Sequence, residues 1–413
     1  MKKVSQDSLY VAIDIGTTKI CVLIAHNNND FCEIIGIGKA PSHGLARGIV
    51  VDIAAAVDSI KIAVREAEFM AGYSVDSAYI GISGSHIQSI NSRGMVAIKQ
   101  GQVRDYDIAH VIAAAKAVTI PEGQQVLHVI PQFYIIDGNH HVQDPLGMHG
   151  IRLETQVHII TGNVSSVQNL IRCCEAAGIK VRDIILEPLA SADAVIGSDE
   201  INLGVGMLDI GGGTSDFAVY HRGTIRHTKI FPIAGNLFTQ DIAHCLRTTF
   251  TQAEAIKHAY GMQPLNTHIE NPIEQYIEID TLHHEHRQVV FLQDLITILA
   301  YRSQELLLLV NAEIKQYHLD VYMASGFILT GGGSLLTGLV TMAQDILACP
   351  VRIGKPKIPA AFKESLNNPM YATAYGLLVH ALKKNKNKRM EQLSGPMINR
   401  VFSRMKSWVF DFF

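Results

Sequence analysis

Val205 to Tyr220, Val-Gly-Met-Leu-Asp-Ile-Gly-Gly-Gly-Thr-Ser-Asp-Phe-Ala-Val-Tyr, is the stretch whose reading decides the fold. Two apolar runs, Val205–Leu208 and Phe217–Tyr220, flank a glycine-rich turn. Apolar runs bounded by glycines read as two buried strands joined by a tight turn. Glycine accepts positive φ and lets a backbone approach a ligand closely, so successive N–H groups can wrap a phosphate. Thr214 and Ser215 add hydroxyl donors. Asp209, at the strand end, can hold Mg²⁺ through water, because that ion keeps several waters and takes few carboxylates. Taken alone, the stretch also reads as a glycine-rich hairpin with no ligand.

The pattern occurs once before. Val11-Ala-Ile-Asp14-Ile-Gly16-Thr17-Thr18-Lys19 is again strand, acid, glycine turn and hydroxyls, and Asp209 follows Asp14 by 195 residues. A long-period repeat of one supersecondary unit implies two similar halves facing each other. Each half offers one hairpin to the phosphates and one Asp to the metal, and Lys19 adds a point charge. Glycines Gly211, Gly212 and Gly213 in the second turn mirror Gly16 in the first. A third element, Phe327-Ile-Leu-Thr-Gly331-Gly332-Gly333-Ser-Leu-Leu-Thr-Gly338, reads as a strand, then glycines, then a helix whose N-terminus suits a nucleotide contact.

These three elements in this order resemble the actin, Hsp70 and sugar-kinase ATPase superfamily, over about Leu9 to Lys383. The resemblance tightens at Gly44-Leu-Ala-Arg-Gly48-Ile-Val-Val-Asp52, Ser89-Ile-Asn-Ser-Arg-Gly94-Met-Val, Leu186-Glu-Pro-Leu-Ala-Ser-Ala192 and Gly235-Asn-Leu-Phe-Thr-Gln-Asp-Ile-Ala243. There the chain is similar to the FtsA family of bacterial cell-division proteins. The implied fold is α/β: an actin-like two-lobed ATPase fold with an inserted βαββ subdomain and a C-terminal amphipathic helix.

Composition agrees with an ordered chain of more than one core. The 413 residues are 48% hydrophobic and 18% charged. With 35 Lys and Arg against 38 Asp and Glu, no global field draws nucleic acid. Cys21, Cys32, Cys173, Cys174, Cys245 and Cys349 form no Cys-x-x-Cys and are expected to be reduced core residues of a cytosolic protein. The N-terminus lacks the apolar segment of a signal peptide, and no apolar run approaches the length of a membrane span.

Along the chain, strands are expected at Leu9–Ile13, Ile20–Ala25, Phe31–Ile37 and Tyr79–Ile82, with a turn at Asn27–Asp30. Asp52 caps a helix from Ile53 to about Met70 that Gly72 ends. Between about His86 and Thr161 a strand Met95–Lys99, a helix Tyr106–Ala117 and strands Leu127–Ile136 and Thr155–Ile160 form an inserted unit. It is either a stabilising decoration or, as the resemblance implies, a surface for self-association and for later division proteins. Helix Ser165–Ala177 and strand Val181–Leu186 return to the first lobe. The expected division is 1–85 and 164–204 first-lobe core, 86–163 insertion, 205–234 and 311–367 second-lobe core, 235–310 small subdomain, 368–383 closing helix, 384–396 linker and 397–413 amphipathic helix.

Glu187 opens a helix that crosses between lobes, with Pro188 suited to its first turn. The resemblance places Glu187 at the family's water-polarising position, so Glu187 and Asp209 are the candidate catalytic residues. A carboxylate there equally stabilises the helix dipole. Gly235 and Asn236 follow the second hairpin into the next helix and are placed at the nucleotide by resemblance. Glu254 and Lys257 share a helical face. They form either a surface ion pair or, by resemblance, the ribose and adenine contact. His283-His-Glu-His286 reads as a solvated loop. Leu306–Val310 is expected as buried core of a helix Leu292–Ile314, and Asn368–Leu382 as the second crossing.

The tail has its own character. Lys383–Arg389 is charged and polar and reads as the start of a flexible linker. Beyond it Ile398, Val401, Phe402, Met405, Trp408, Val409 and Phe412 recur at helical spacing opposite Arg400 and Arg404. From Lys383 onward eight Lys and Arg stand against Glu391 and Asp411. A basic amphipathic helix of this kind lies in an anionic membrane interface; Asp411 shifts weight from charge to apolar insertion. Docking on the protein's own surface or on a partner is the alternative.

The resulting expectation is an actin-like ATP-binding protein, with ATP and Mg²⁺ as cofactors. It polymerises on the cytoplasmic face of the inner membrane at the division site and tethers the ring of the tubulin-like protein FtsZ through that protein's C-terminal tail. Binding and polymerisation matter more than turnover. Its partners are FtsZ, itself, other division proteins and anionic phospholipid, with no nucleic acid. The rivals are a pilus- or rod-shape-type actin-like scaffold, a small-molecule kinase of the same fold, and a chaperone ATPase, for which no room remains after Lys383.

Overall fold

The computed structural model describes residues 9–28, 31–138, 140–262, 275–280, 287–358 and 363–393. The chain opens with β1 (Leu9–Ile15), β2 (Lys19–Asn28) and β3 (Phe31–Pro41), an antiparallel meander of apolar, β-branched sequence. A two-residue ribbon, β4 (Leu45–Ala46) and β5 (Ile49–Val50), leads into α1 (Ile53–Ala71). Asp52 caps α1 by accepting from the Ala55 N–H, and Gly72 ends it with φ of 71°. Val57, Ile60, Val64 and Ala67 then face Ile20, Val22 and Ile24 of the sheet. β6 (Ser77–Ile82) pairs with β1 in parallel.

The insertion follows as β7 (Gln88–Ala97), α2 (Asp105–Lys116), β8 (Gln124–Ile136), β9 (His140–Val142) and β10 (Arg152–Asn163), with sheet order β7-β10-β8-β9. It differs from the expected βαββ unit in two ways. β9 is added at the edge, and the first strand begins at Gln88, because its polar run Gln88–Arg93 hides a strand that faces a polar neighbour. Val111, Leu153, Tyr134 and Ile136 give the insertion its own core.

The chain returns through α3 (Val164–Ala176) to β11 (Lys180–Leu186), then crosses through α4 (Glu187–Val195) and the short α5 (Ser198–Leu203). The second lobe begins with β12 (Val205–Ile210), β13 (Ser215–His221) and β14 (Thr224–Phe231). It continues through α6 (Gly235–Cys245), α7 (Phe250–Tyr260), the ribbon β15 (Tyr276–Asp280) and β16 (Arg287–Phe291), and α8 (Leu292–Gln316). β17 (Phe327–Thr330), α9 (Leu339–Leu347) and β18 (Val351–Ile353) complete the sheet, and α10 (Lys363–Leu366) and α11 (Ala372–Leu393) follow.

The two large sheets have one topology. The first runs β3-β2-β1-β6-β11 and the second β14-β13-β12-β17-β18, each an antiparallel meander joined to two parallel strands. The repeat read from Asp14 and Asp209 is thus a repeat of whole sheets. α11 passes back from the second lobe and packs Leu377, Leu378 and Ala381 against Tyr10, Ala12 and Leu23 of the first.

Three expectations need correction. The linker expected over 384–396 is helical as far as Leu393, because Lys, Arg, Glu, Gln, Met and Leu all sustain a helix that α11 has already nucleated. Within Leu306–Val310, Leu306, Leu307 and Val310 are buried but Leu308 and Leu309 are exposed, since one helix cannot bury five consecutive residues on one face. Cys21, Cys173 and Cys174 are buried, whereas Cys245 is exposed and Cys349 half-buried. Among the described residues one helix, α8, is long and apolar enough to cross a membrane, with mean hydropathy 1.2, and its Leu295, Leu299, Leu306 and Leu307 pack into the second-lobe core.

The insertion is bonded to the second lobe as well as continuous with the first. Gln132 donates to the carbonyls of Ile225 and Arg226 at 2.9 and 3.1 Å, and the Ser89 hydroxyl donates to that of Thr228 at 2.8 Å. Fully buried His158 sits 2.7 Å from Asn91 Oδ1 and 2.9 Å from the Thr228 hydroxyl.

Candidate functional site

The turns between β1 and β2 and between β12 and β13 are built alike. The Gly16 N–H bonds to the Lys19 carbonyl at 3.1 Å, and the Gly211 N–H to the Thr214 carbonyl at 2.9 Å. Both tips enter one cavity of about 330 Å³ between the lobes, within the usual range for small-molecule sites. None of Gly16, Gly211, Gly212 and Gly213 takes the positive φ expected of them. Their requirement is space. A Cβ on Gly212 would lie 1.7 Å from Thr18 Oγ1, and one on Gly213 would lie 2.3 Å from Thr17 Oγ1. The Gly48 N–H donates to Thr17 Oγ1 at 3.0 Å, so the quoted Gly44–Asp52 motif braces the first tip.

The second tip is braced by α6. The Gly235 and Asn236 N–H groups donate to the Gly211 and Gly212 carbonyls at 3.0 and 2.8 Å. Behind them Lys257 Nζ bonds Glu254 Oε2 at 2.7 Å, Thr239 Oγ1 at 2.8 Å and the Gly235 carbonyl at 3.1 Å. Burial pulls against the Glu254 charge, but Lys257 and Thr239 hold its carboxyl below the usual range. Lys257 is lowered by burial, with Glu254 opposing. Glu254 and Lys257 are therefore part of the cavity wall and not a surface pair.

The third element closes the remaining side. β17 lies parallel to β12 with Thr330 opposite Asp209, and Gly331 follows at φ of 78°. A side chain there would meet Asp209 Oδ1 at 2.2 Å. Gly332 and Gly333 form a 3-10 turn and not the start of an α-helix; α9 begins after Gly338.

Buried Asp14, Asp209 and Asp216 and half-buried Glu187 converge on this cavity, with Lys19 and Lys257 among its lining residues. Burial pushes Asp14 up to about 6, Lys19 opposing and Asp209 adding. Asp216 is pushed up to about 8 by burial and by Asp209, against bonds from Ser83 and Thr214. Burial, then Asp14, Asp216 and Asp209, hold Glu187 well above the carboxylate range. Asp209 is raised by burial, with hydroxyls from Ser191 and Thr373 and the Lys19 charge opposing. Lys19 itself donates to the Met370 carbonyl at 2.5 Å and lies over the Tyr371 ring.

All the predicted catalytic and nucleotide residues line this one cavity. Ser83, Asp216, Ser191 and Thr373 were not legible as site residues. Ser83 Oγ donates to Asp216 Oδ1 at 2.7 Å from the opposite lobe, a relation no local pattern encodes. Asp216 carried one signal: it ends the same quoted turn that Asp209 begins. The expected membrane residues, Ile398 to Phe412, and the His283–His286 run lie outside the described residues.

Among the described residues no cluster of three or more His, Cys, Asp or Glu could hold a metal ion directly. An excess of buried acid facing a cleft nevertheless fits a hydrated divalent ion, whose charge would stabilise carboxylates that burial disfavours. The glycine tips, with no room for a Cβ, fit a phosphate chain approached by backbone.

Residues 206–376 match the family described as Cell division protein FtsA, and residues 84–161 match the SHS2 domain inserted in FTSA. The chain is 40% identical to the cell division protein FtsA of Pseudomonas aeruginosa over 99% of both chains. It is 36% identical to that of Escherichia coli K12 over 99% of this chain and 97% of the relative. By structure it is similar to the PilM-PilN type IV pilus biogenesis complex, with TM-score 0.62 and 17% identity over 90% of this chain and 98% of that one. It is also similar to MreB5 of Spiroplasma citri bound to ADP, with TM-score 0.56 and 16% identity over 92% and 98%. The duplicated sheets, the insertion at its expected place and the full-length likeness together mean that this chain, with its actin-like fold, belongs to the FtsA family of cell-division proteins.

Proposed function

We propose that the cavity binds ATP with Mg²⁺, and that the nucleotide state of the chain governs its assembly at the division site. The observation that carries this reading is the meeting of two equivalent glycine tips, Gly16–Lys19 and Gly211–Thr214, with Gly331–Gly333 and the Glu254–Lys257 pair around one cavity. In this reading backbone N–H groups of both tips and the Thr17, Thr18 and Thr214 hydroxyls hold the phosphates. Asp14 and Asp209 hold Mg²⁺ through water, and Glu254 and Lys257 face the ribose and adenine. Bound Mg²⁺ would neutralise phosphate charge. Glu187, at the cleft end of α4, would orient a water and accept its proton once the charge of a bound Mg²⁺ offset the burial and the neighbouring carboxyls that now favour its protonated form. Slow hydrolysis is compatible with this arrangement.

Beyond the cavity, the proposal has the chain polymerise on the cytoplasmic membrane through the 397–413 helix and hold the FtsZ tail on residues 235–310. It gives the insertion to self-contact and other division proteins. Its support is family membership and the sequence of the tail. Filament formation on anionic lipid, viewed by electron microscopy with ATP and without, tests the reading. The full chain should form filaments on lipid with ATP; a chain lacking 397–413 should leave the lipid bare. Absence of nucleotide binding by the full chain would remove the proposal.

A further inference from the structure

The two helices that carry the chain between lobes meet at Asp209. α4 follows the last strand of the first sheet, and α11 returns from the second lobe. They touch backbone to backbone: a Cβ on Gly376 would lie 1.8 Å from the Ala190 carbonyl oxygen. At this contact Ser191 of α4 and Thr373 of α11 are 3.0 Å apart, hydroxyl to hydroxyl. Both donate to the same oxygen, Asp209 Oδ2, at 2.5 Å from Ser191 and 3.1 Å from Thr373. All three residues are buried, and Ser191 completely. The other carboxylate oxygen, Oδ1, lies beside Gly331 at the cavity wall.

We propose that Ser191 and Thr373 are positioning residues for Asp209, fixing Oδ2 with one hydroxyl from each crossing helix so that metal retention and helix contact are linked. The inference rests on the Mg²⁺–nucleotide reading above and deepens it. A carboxylate has few ways to turn once one oxygen accepts two hydroxyls. Sliding α11 along α4 pulls the two donors apart, so Asp209 keeps both bonds only in one relative setting of the helices. By linkage, a ligand that needs the ordered carboxylate favours that setting. The alternative role is local: the hydroxyls merely satisfy a buried acid, with no effect on metal.

Titration of a fluorescent ADP into the full chain, with excess MgCl₂ and with excess EDTA, separates the two. The variants are Ser191→Ala, Thr373→Val, the double variant, and Thr373→Ser, which keeps the hydroxyl. Bonds to charged groups of this kind correspond to roughly tenfold or more. The double variant should therefore lose about tenfold of the Mg²⁺-dependent gain in affinity, while its affinity in EDTA stays within about twofold. Thr373→Ser should retain the parent's gain. If the double variant does not fold, the single variants carry the same test, each with a several-fold loss. A folded variant without the hydroxyls that keeps the whole Mg²⁺ gain overturns the inference. So does an equal loss in both buffers, or a Thr373→Ser variant that behaves like Thr373→Val. A parent that binds no ADP in either buffer overturns the nucleotide reading itself, and this inference with it.

Discussion

Gly212 and Thr18 meet across the cleft, so closely that a Cβ on the glycine would lie 1.7 Å from the threonine hydroxyl. Gly212→Val must therefore push the two tips apart as well as fill the phosphate approach. The folded variant should bind ATP at least a hundredfold more weakly, since overpacking of this kind costs about 1–3 kcal/mol before any lost ligand contact. Nucleotide titration against the parent, with circular dichroism to confirm folding, checks it. Unchanged affinity would remove the tips from the site.

Asp14 and Asp209 end equivalent strands and face one cavity from opposite lobes. Replacing either with Ala should weaken Mg²⁺-dependent nucleotide retention and leave retention in EDTA nearly unchanged. Dissociation of a labelled nucleotide chased with and without Mg²⁺ measures this. A full Mg²⁺ effect in both variants would rule out these two carboxylates as its source.

Buried His158 should make stability depend on pH. Burial, with a smaller push from His227, lowers it from 6.5 to about 3 in the folded chain, so the unfolded chain binds a proton first as pH falls. Its contribution is whole above pH 6.5 and lost below it, at about 1.4 kcal/mol per pH unit. Between pH 6.5 and 5 this is about 2 kcal/mol. Raised carboxyls such as Asp216 tilt the profile the other way. Urea midpoints at pH 7 and pH 5 should thus be compared between parent and His158→Gln. The variant should show the smaller loss of stability on acidification. An equal loss in both would show that His158 takes no part.

The tail prediction concerns avidity. Seven apolar residues give at most about 1.5–3 kcal/mol each on full burial, and an interfacial helix buries them only partly while its ordering costs entropy. One tail should therefore bind weakly, and a polymer carrying many should bind tightly. ATP should raise co-sedimentation with anionic liposomes in a manner that depends on protein concentration. Trp408→Glu should reduce it sharply with nucleotide affinity intact. Equal liposome binding by the variant would end the membrane reading of the tail.

Much of this was legible because it is local. The Asp-Gly-Thr turns, the Asp52 cap and Gly72 stop, and the apolar face of α1 each follow from neighbours within a few positions. Relations between distant segments were not. Ser83 finds Asp216 only when the lobes meet, and Ser191 finds Thr373 only when two helices touch. Composition misled at Lys383–Arg389, where charge reads as linker although each residue but Asn favours a helix. It misled again at Leu308 and Leu309, where hydropathy carries no information about which side of α8 faces solvent. β9 is three residues long and polar, below what periodicity can register.

The polar side chains of the insertion have a further consequence. β14 is the outermost strand of its sheet, and its outward carbonyls at Ile225, Arg226 and Thr228 are taken by Gln132, Asn91 and Ser89. An uncovered strand of that kind is a template on which another chain adds a strand. Here side chains, which cannot propagate a ladder, occupy it instead. The insertion therefore leaves no free edge at these positions for a stray strand to extend. Excision of 84–161 with a short bridge should leave a chain that precipitates or grows thioflavin-positive aggregates, and a charged residue introduced at Thr228 should restrain it.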